Sequence, residues 1–308
     1  MSVVNNLTYE FEVEDLEYLR HGNEPLLARW FQPKGPGPFP AMVEVHGGAW
    51  THYDRTRGKS LHEALARSGV VVLSLDFRQG KSGPFPCSSA DINYGIRWLK
   101  ANAARFKIDP MRVGISGNSS GGQLVMLGAM KPNDPRFNSI PLPGGSPSVD
   151  GTVGCVVMLW PVINPLGRYR MAKRELAKPN PRDFAARLIK SHDDYWGTEA
   201  TQREANPMLI LERGEKVSLP PAMWIQATQD DVHNYVDVES VEDSGADGVG
   251  EPEAERFASS YRKAGGGFVL KYYDAPSLFT TVHPTLPESI EALSDIAAFV
   301  HKHIGMKG

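Results

Sequence analysis

The sequence predicts an α/β fold, a mostly parallel central sheet flanked by helices, and three observations carry that prediction. Five short apolar runs, AMVEV, VVVLSLD, GCVVMLW, AMWIQAT and FVLKYYD, are too short for free helices and have the length of buried strands. Segments with helical spacing separate them, which is the alternation that a sheet covered on both faces requires. With 308 residues, 41% hydrophobic and 22% charged, the chain can bury one large core without disulfides or metal.

The elements follow in order. Tyr9, Phe11 and Val13 alternate with polar residues, as do Leu26, Ala28 and Trp30, and HGNEP between them reads as a turn. This predicts an antiparallel pair at one edge of the sheet. KGPGPFP is a breaker-rich connection into the strand AMVEV, and VVVLSLD from Val70 is a buried strand. Asp91 to Lys100 places Ile92, Ile96 and Leu99 on one helical face. The strand RVGIS, a helix from Ser120, and the strands GCVVMLW, AMWIQAT and FVLKYYD complete the series. Thr285 with Glu288 has the pattern of a capping box, and Ile290, Leu293, Ala297 and Val300 follow at helical spacing.

Three stretches interrupt this rhythm. Residues 131–151 are rich in Pro, Gly and Ser and are expected to form a surface loop. Residues 161–219, with a helical piece around Phe184 to Ile189, read as a cap inserted over the carboxyl edge of a single domain spanning 1–308. Residues 235–252 are acidic and lack apolar periodicity, which marks a loop insertion, a solvated lid or a subunit contact. This run does not match a calcium-loop pattern.

Charge narrows the functions. Lys+Arg is 33 against Asp+Glu 36, a net −3 without a basic stripe, which argues against nucleic acid as a partner. No apolar run has the length of a membrane span, and Met1 to Glu10 lack the layout of a secretory signal. Cys87 and Cys155 fit neither a metal site nor a disulfide framework, so a cytoplasmic location is expected. Asp230, Asp231 and His233 resemble metal ligands by residue type only, since their spacing matches no recognised site; no metal or cofactor is expected. A homo-oligomer is left open.

Gly117-Asn118-Ser119-Ser120-Gly121 is a G-x-S-x-G sequence placed between a strand and an apolar helix. That setting defines a nucleophile elbow, in which glycines allow a sharp turn and the helix amino end favours negative charge at the serine. His46-Gly47-Gly48-Ala49-Trp50 directly follows the strand AMVEV. The amides of Gly48 and Ala49, with that of Ser120, would form an oxyanion hole. Trp50, Tyr53, Tyr169, Phe184 and Trp196 are candidates for the lining of a substrate pocket, with core packing as the alternative.

From about Phe39 to about Val300 the chain resembles the esterase/lipase branch of the α/β-hydrolase fold with an HGG oxyanion motif, the hormone-sensitive-lipase-like or carboxylesterase branch. LDFR at 75–78, GNSSGG at 117–122 and LPPAMWIQATQDD at 219–231 carry the resemblance. It implies a catalytic triad with serine nucleophile Ser119 and with Asp230 as the acid, Asp231 being a near alternative. It also implies a histidine just after the last strand, where this chain has Ser277 in Ala275-Pro276-Ser277-Leu278-Phe279. His283 is the only histidine in that loop. Three readings stay open: His283 is the base through a shifted loop, the base has been replaced at Ser277, or the site is degenerate.

The function expected from this resemblance is a serine hydrolase, a carboxylic-ester hydrolase acting through an acyl-enzyme on a small-molecule ester, or on an amide. The alternative is a hydrolase-fold binding protein or receptor without its base.

Overall fold

A computed structural model of the chain describes residues 8–234 and 251–305. The acidic run at 235–252 lies outside the described residues except for Glu251 and Pro252. β1 (Phe11–His21) and β2 (Glu24–Pro33) form the edge hairpin, and β3 (Phe39–Val45) follows the Pro/Gly connection. Then come α1 (Lys59–Arg67), β4 (Val71–Leu75), α2 (Cys87–Ala101), β5 (Ile108–Asn118), α3 (Ser120–Met130) and β6 (Val156–Leu159). Four helices, α4 (Pro165–Leu176), α5 (Phe184–Trp196), α6 (Glu199–Glu204) and α7 (Pro207–Glu212), separate β6 from β7 (Ala222–Gln229). The chain ends with α8 (Glu253–Lys263), β8 (Phe268–Pro276), α9 (Phe279–Val282) and α10 (Pro287–Ile304).

The eight strands form one sheet in the order β1-β2-β4-β3-β5-β6-β7-β8. β2 pairs antiparallel with β1 and β4, and all other pairs are parallel. The strand period of two divides the core between the two faces. Val43, Leu73 and Ile115 pack on one side with α2 and α3, while Met42, Val72 and Val157 pack on the other with α10. Every residue of β3 and β4 is buried, as expected of strands covered on both faces.

The C-terminal helix departs from expectation. α10 begins at Pro287, whose fixed φ suits the first helical turn, and no side chain caps it, so Thr285 and Glu288 do not form a capping box. Its fully buried face includes Ser289, Ala292, Ile296, Phe299 and Val300, and Ile290 is exposed. Of the predicted face, Val300 is buried and Leu293 and Ala297 are half-buried against the same core, so only Ile290 departs from it.

Candidate active site

The site is assembled at the carboxyl ends of β3, β5 and β7, where three consecutive loops meet. Ser119 sits between β5 and α3 with φ 51° and ψ −121°, a backbone region that costs energy for a residue with a Cβ. Two backbone bonds hold it there: Ser119 N–H donates to Leu159 O at 3.0 Å, and Val162 N–H donates to Ser119 O at 2.9 Å. Gly121 permits the tight turn, because a Cβ there would come within 2.2 Å of Val45 O.

The loop after β3 packs against this elbow. At Gly47 a Cβ would lie 2.9 Å from Asn118 O and 3.0 Å from Ser119 Cβ, so only glycine lets the loop come this close. Ala49 and Trp50 both have positive φ, 52° and 61°. Trp50 N–H donates to Ser120 Oγ at 3.1 Å, which locks the loop to the helix behind the serine. Gly47, Gly48 and Ala49 line one cavity together with Ser119. Ser120 is buried at the first position of α3.

The third loop follows β7. Asp230 Oδ1 accepts N–H bonds from Val232 and His233, each at 3.0 Å, which winds residues 230–233 into a turn. The turn folds the His233 ring back over the carboxylate, with Nδ1 2.8 Å from Asp230 Oδ2. Nε2 of the same ring lies 3.0 Å from Ser119 Oγ. With Nδ1–H donated to the carboxylate, Nε2 is left to accept the serine proton.

Burial of Asp230 works to raise its pKa, but the His233 ring and the two amides outweigh it and hold the carboxyl down at about 2. His233 is buried, and burial pushes its pKa below the ordinary value. The Asp230 hydrogen bond and charge oppose that push, and the Arg168 guanidinium adds to it. The imidazole is thus neutral near neutral pH, as a general base must be.

The expected histidine is elsewhere. His283 is exposed, caps the short α9, and does not line the cavity. Its N–H donates to Phe279 O at 2.8 Å and its own carbonyl accepts from Ser289 Oγ at 2.8 Å. Phe279, fully buried against Trp160 and Tyr273, pins the loop so that it turns at once into α9 and α10. What this loop brings to the cavity is Leu278 and Thr281; Ser277 is half-buried and does not line it. Asp231 points away, with its side chain largely exposed and paired to Arg182 at 3.6 Å.

Of the five aromatic pocket candidates, Tyr53 and Phe184 line the cavity, while Tyr169 is buried with its hydroxyl donating to Asp193. Trp50 is 1% and Trp196 3% exposed, and both belong to the core. Trp50 stacks on Tyr195 at 5.8 Å, meets Trp196 edge-on at 5.3 Å, and donates its indole N–H to Gln123 Oε1 at 3.1 Å. Phe184 belongs to a wall supplied by α5, whose Phe184, Arg187, Leu188 and Ser191 share one face at helical spacing. The cavity has a volume of about 240 Å³.

Sheet order, elbow and loop placement together define the α/β-hydrolase fold. Residues 30–242 match the model of the BD-FAE family, and the chain belongs to that family. It is similar to the esterase LipC of Mycobacterium tuberculosis, 34% identical over 215 residues that make up 68% of this chain and 50% of that protein. LipM of the same organism, a probable carboxylic ester hydrolase, is 32% identical over 40% of this chain and 29% of its own length. The chain thus matches half or less of the length of these relatives.

Among solved structures, an esterase from Pyrobaculum calidifontis has a TM-score of 0.70 and is 23% identical, covering 97% of this chain and 85% of its own. The carboxylesterase EstE1 from a metagenomic library has a TM-score of 0.71 at 20% identity, covering 97% of this chain and 92% of its own. Among the described residues, no helix is long and apolar enough to cross a membrane, and no cluster of side chains could hold a metal ion.

Proposed function

We propose that this protein is a serine hydrolase of carboxylic esters in which His233 is the base. One observation carries the reading: the unbroken line from Ser119 Oγ through His233 to Asp230, at 3.0 and 2.8 Å. Ser119 Oγ attacks the ester carbonyl while its proton passes to His233 Nε2. The amides of Gly48, Ala49 and Ser120 receive the charge that develops on the carbonyl oxygen. His233 returns the proton to the leaving alcohol, and an acyl group stays on Ser119. Water, deprotonated by the same imidazole, then releases the acid and restores the serine. Asp230 holds the ring in the required tautomer and stabilises the imidazolium.

The esterase names of the curated relatives support ester hydrolysis as the reaction. A binding role drew its weight from the serine at 277. A histidine within hydrogen-bond distance of Ser119 favours hydrolysis instead. We place α4–α7 as a cap within a single domain, and a cytoplasmic setting agrees with two cysteines that form no disulfide.

Steady-state hydrolysis of p-nitrophenyl acetate tests the reading, with Ser119→Ala as the blank. Serine-dependent turnover that is lost in His233→Ala and kept in His283→Ala is the expected result. Turnover that survives Ser119→Ala, or none in the wild-type protein, overturns it.

A further inference from the structure

The polar character of the cavity is one-sided. Arg57, from the turn ahead of α1, Arg168, from α4, and Arg187, from α5, all line it, and no aspartate or glutamate does among the described residues. The three residues come from separate elements, so their presence around one cavity is not the accident of one charged helix face.

Arg168 is 2% exposed, so its charge lies within the protein wall. Asn164, which caps α4 by accepting Gly167 N–H at 2.9 Å, fixes the turn that presents it. Arg57 is half-buried and spreads over the Tyr53 ring, 4.5 Å from its centroid. That contact orients the guanidinium while leaving its edge open to an acceptor. Arg187 is exposed on the cavity-facing side of α5, next to Leu188 and one turn from Ser191. Among the described residues, neither Arg57 nor Arg187 forms an ion pair. The Asp230 carboxylate does not neutralise these two, since it is taken by His233 and two amides behind the ring.

A pocket lined by one sign of charge, with apolar walls such as Phe184, Leu188 and Leu278, concentrates the field and selects ligands of opposite charge. Arginine is the residue whose planar fork matches a carboxylate. We propose that the substrate is an ester that bears a free carboxylate, held by Arg57 and Arg187 while its ester carbonyl lies at Ser119. The proposal rests on the hydrolase reading for what happens at Ser119, and on the arginines alone for which ligands enter.

Two matched ester pairs test it: monomethyl against dimethyl glutarate, with the charge on the acyl side, and 4-acetoxybenzoate against its methyl ester, with the charge on the alcohol side. Binding to the Ser119→Ala protein is measured by calorimetry, and kcat/KM on the wild-type protein. The charged member of at least one pair is expected to win by about tenfold, the scale of one charge-assisted hydrogen bond. Arg57→Gln and Arg187→Gln, both away from the core, are expected to lower that charged-to-neutral ratio several-fold, an effect that a general loss of folding would not produce.

Equal or weaker binding of both charged esters overturns the proposal, as does a ratio that neither variant moves. Tighter binding of methyl phosphate than of either carboxylate overturns the choice of carboxylate. If no ester is turned over, the hydrolase reading fails, and the calorimetric ratio alone still decides whether the arginines select anions.

Discussion

His233 Nε2 lies 3.0 Å from Ser119 Oγ although 114 residues separate the two in sequence. The contact depends on a turn of four residues, in which one carboxylate, Asp230, binds both the backbone and the ring of the histidine three positions later. The proposed acid and base therefore come from a single loop, with the turn itself fixing their mutual geometry.

Removal of the base gives the first prediction. His233→Ala is expected to lower kcat by about 10²- to 10⁴-fold, the usual contribution of a positioned general base. His283→Ala is expected to stay within about twofold, since an exposed side chain away from the cavity is worth little to the site. Turnover of p-nitrophenyl butyrate by the two purified variants distinguishes them. A larger loss in His283→Ala than in His233→Ala would reverse the assignment.

Acid pH gives the second. The imidazole acts only when neutral, so activity is present above its pKa and lost as pH falls through it. Burial, then Arg168, depress that pKa below the ordinary ~6.5, while Asp230 and Asp231 work against them. The acid limb of the kcat/KM profile should therefore lie below that value. Arg168→Gln removes one depressing charge and should move the limb upward, and Asp231→Asn removes a raising charge and should move it downward. Profiles recorded with an uncharged ester, at constant ionic strength, report the two shifts.

How much of this was legible in the sequence depends on the range of the interactions involved. The elbow at Ser119 and the turn at His46–Ala49 are written in local chain geometry, and the glycines that allow them stand at fixed offsets from a strand end. Asp230 follows from its place after β7. The proposed base does not, because the resemblance points to the segment after β8. There, burial of Phe279 pulls the loop into α9, and His283 ends outside. A signal for His233 was present: an aspartate after a strand favours a turn through its own carboxylate, and a side chain three residues on then returns to that carboxylate. Trp50 and Trp196 could not be sorted from pocket residues, because their burial is decided by where α5 packs, a contact between segments far apart in sequence.

That packing gives the third prediction. Trp50 is enclosed by Tyr195, Trp196 and His192, and its indole N–H meets the buried Gln123 Oε1. Trp50→Ala should cost about 3–5 kcal/mol through the cavity it leaves. Trp50→Phe should cost less, about 1–3 kcal/mol, chiefly by leaving the glutamine oxygen without its donor. Urea unfolding followed by circular dichroism measures both. Losses under about 1 kcal/mol would mean that α5 is not packed on this ring.

The last prediction separates the geometry of the oxyanion loop from stability. Gly47 has an ordinary φ, so alanine there meets no backbone penalty, and the strain comes only from its neighbours. The added Cβ would lie 2.9 Å from Asn118 O and Oδ1 and 3.0 Å from Ser119 Cβ. All three atoms belong to the elbow, which is fixed by bonds to Leu159 and Val162, so the loop after β3 is the part that must yield. As it withdraws, the Gly48 and Ala49 amides move away from the oxygen they are to receive. Gly47→Ala should therefore lower kcat by about 10²- to 10³-fold, the loss seen when one oxyanion donor is removed. KM should change little, because the ground-state carbonyl draws less on those donors than the tetrahedral intermediate does. A fluorophosphonate should still label Ser119, more slowly, in a protein whose unfolding midpoint stays near that of the wild type. Full activity in Gly47→Ala would show that the loop has room that these distances deny.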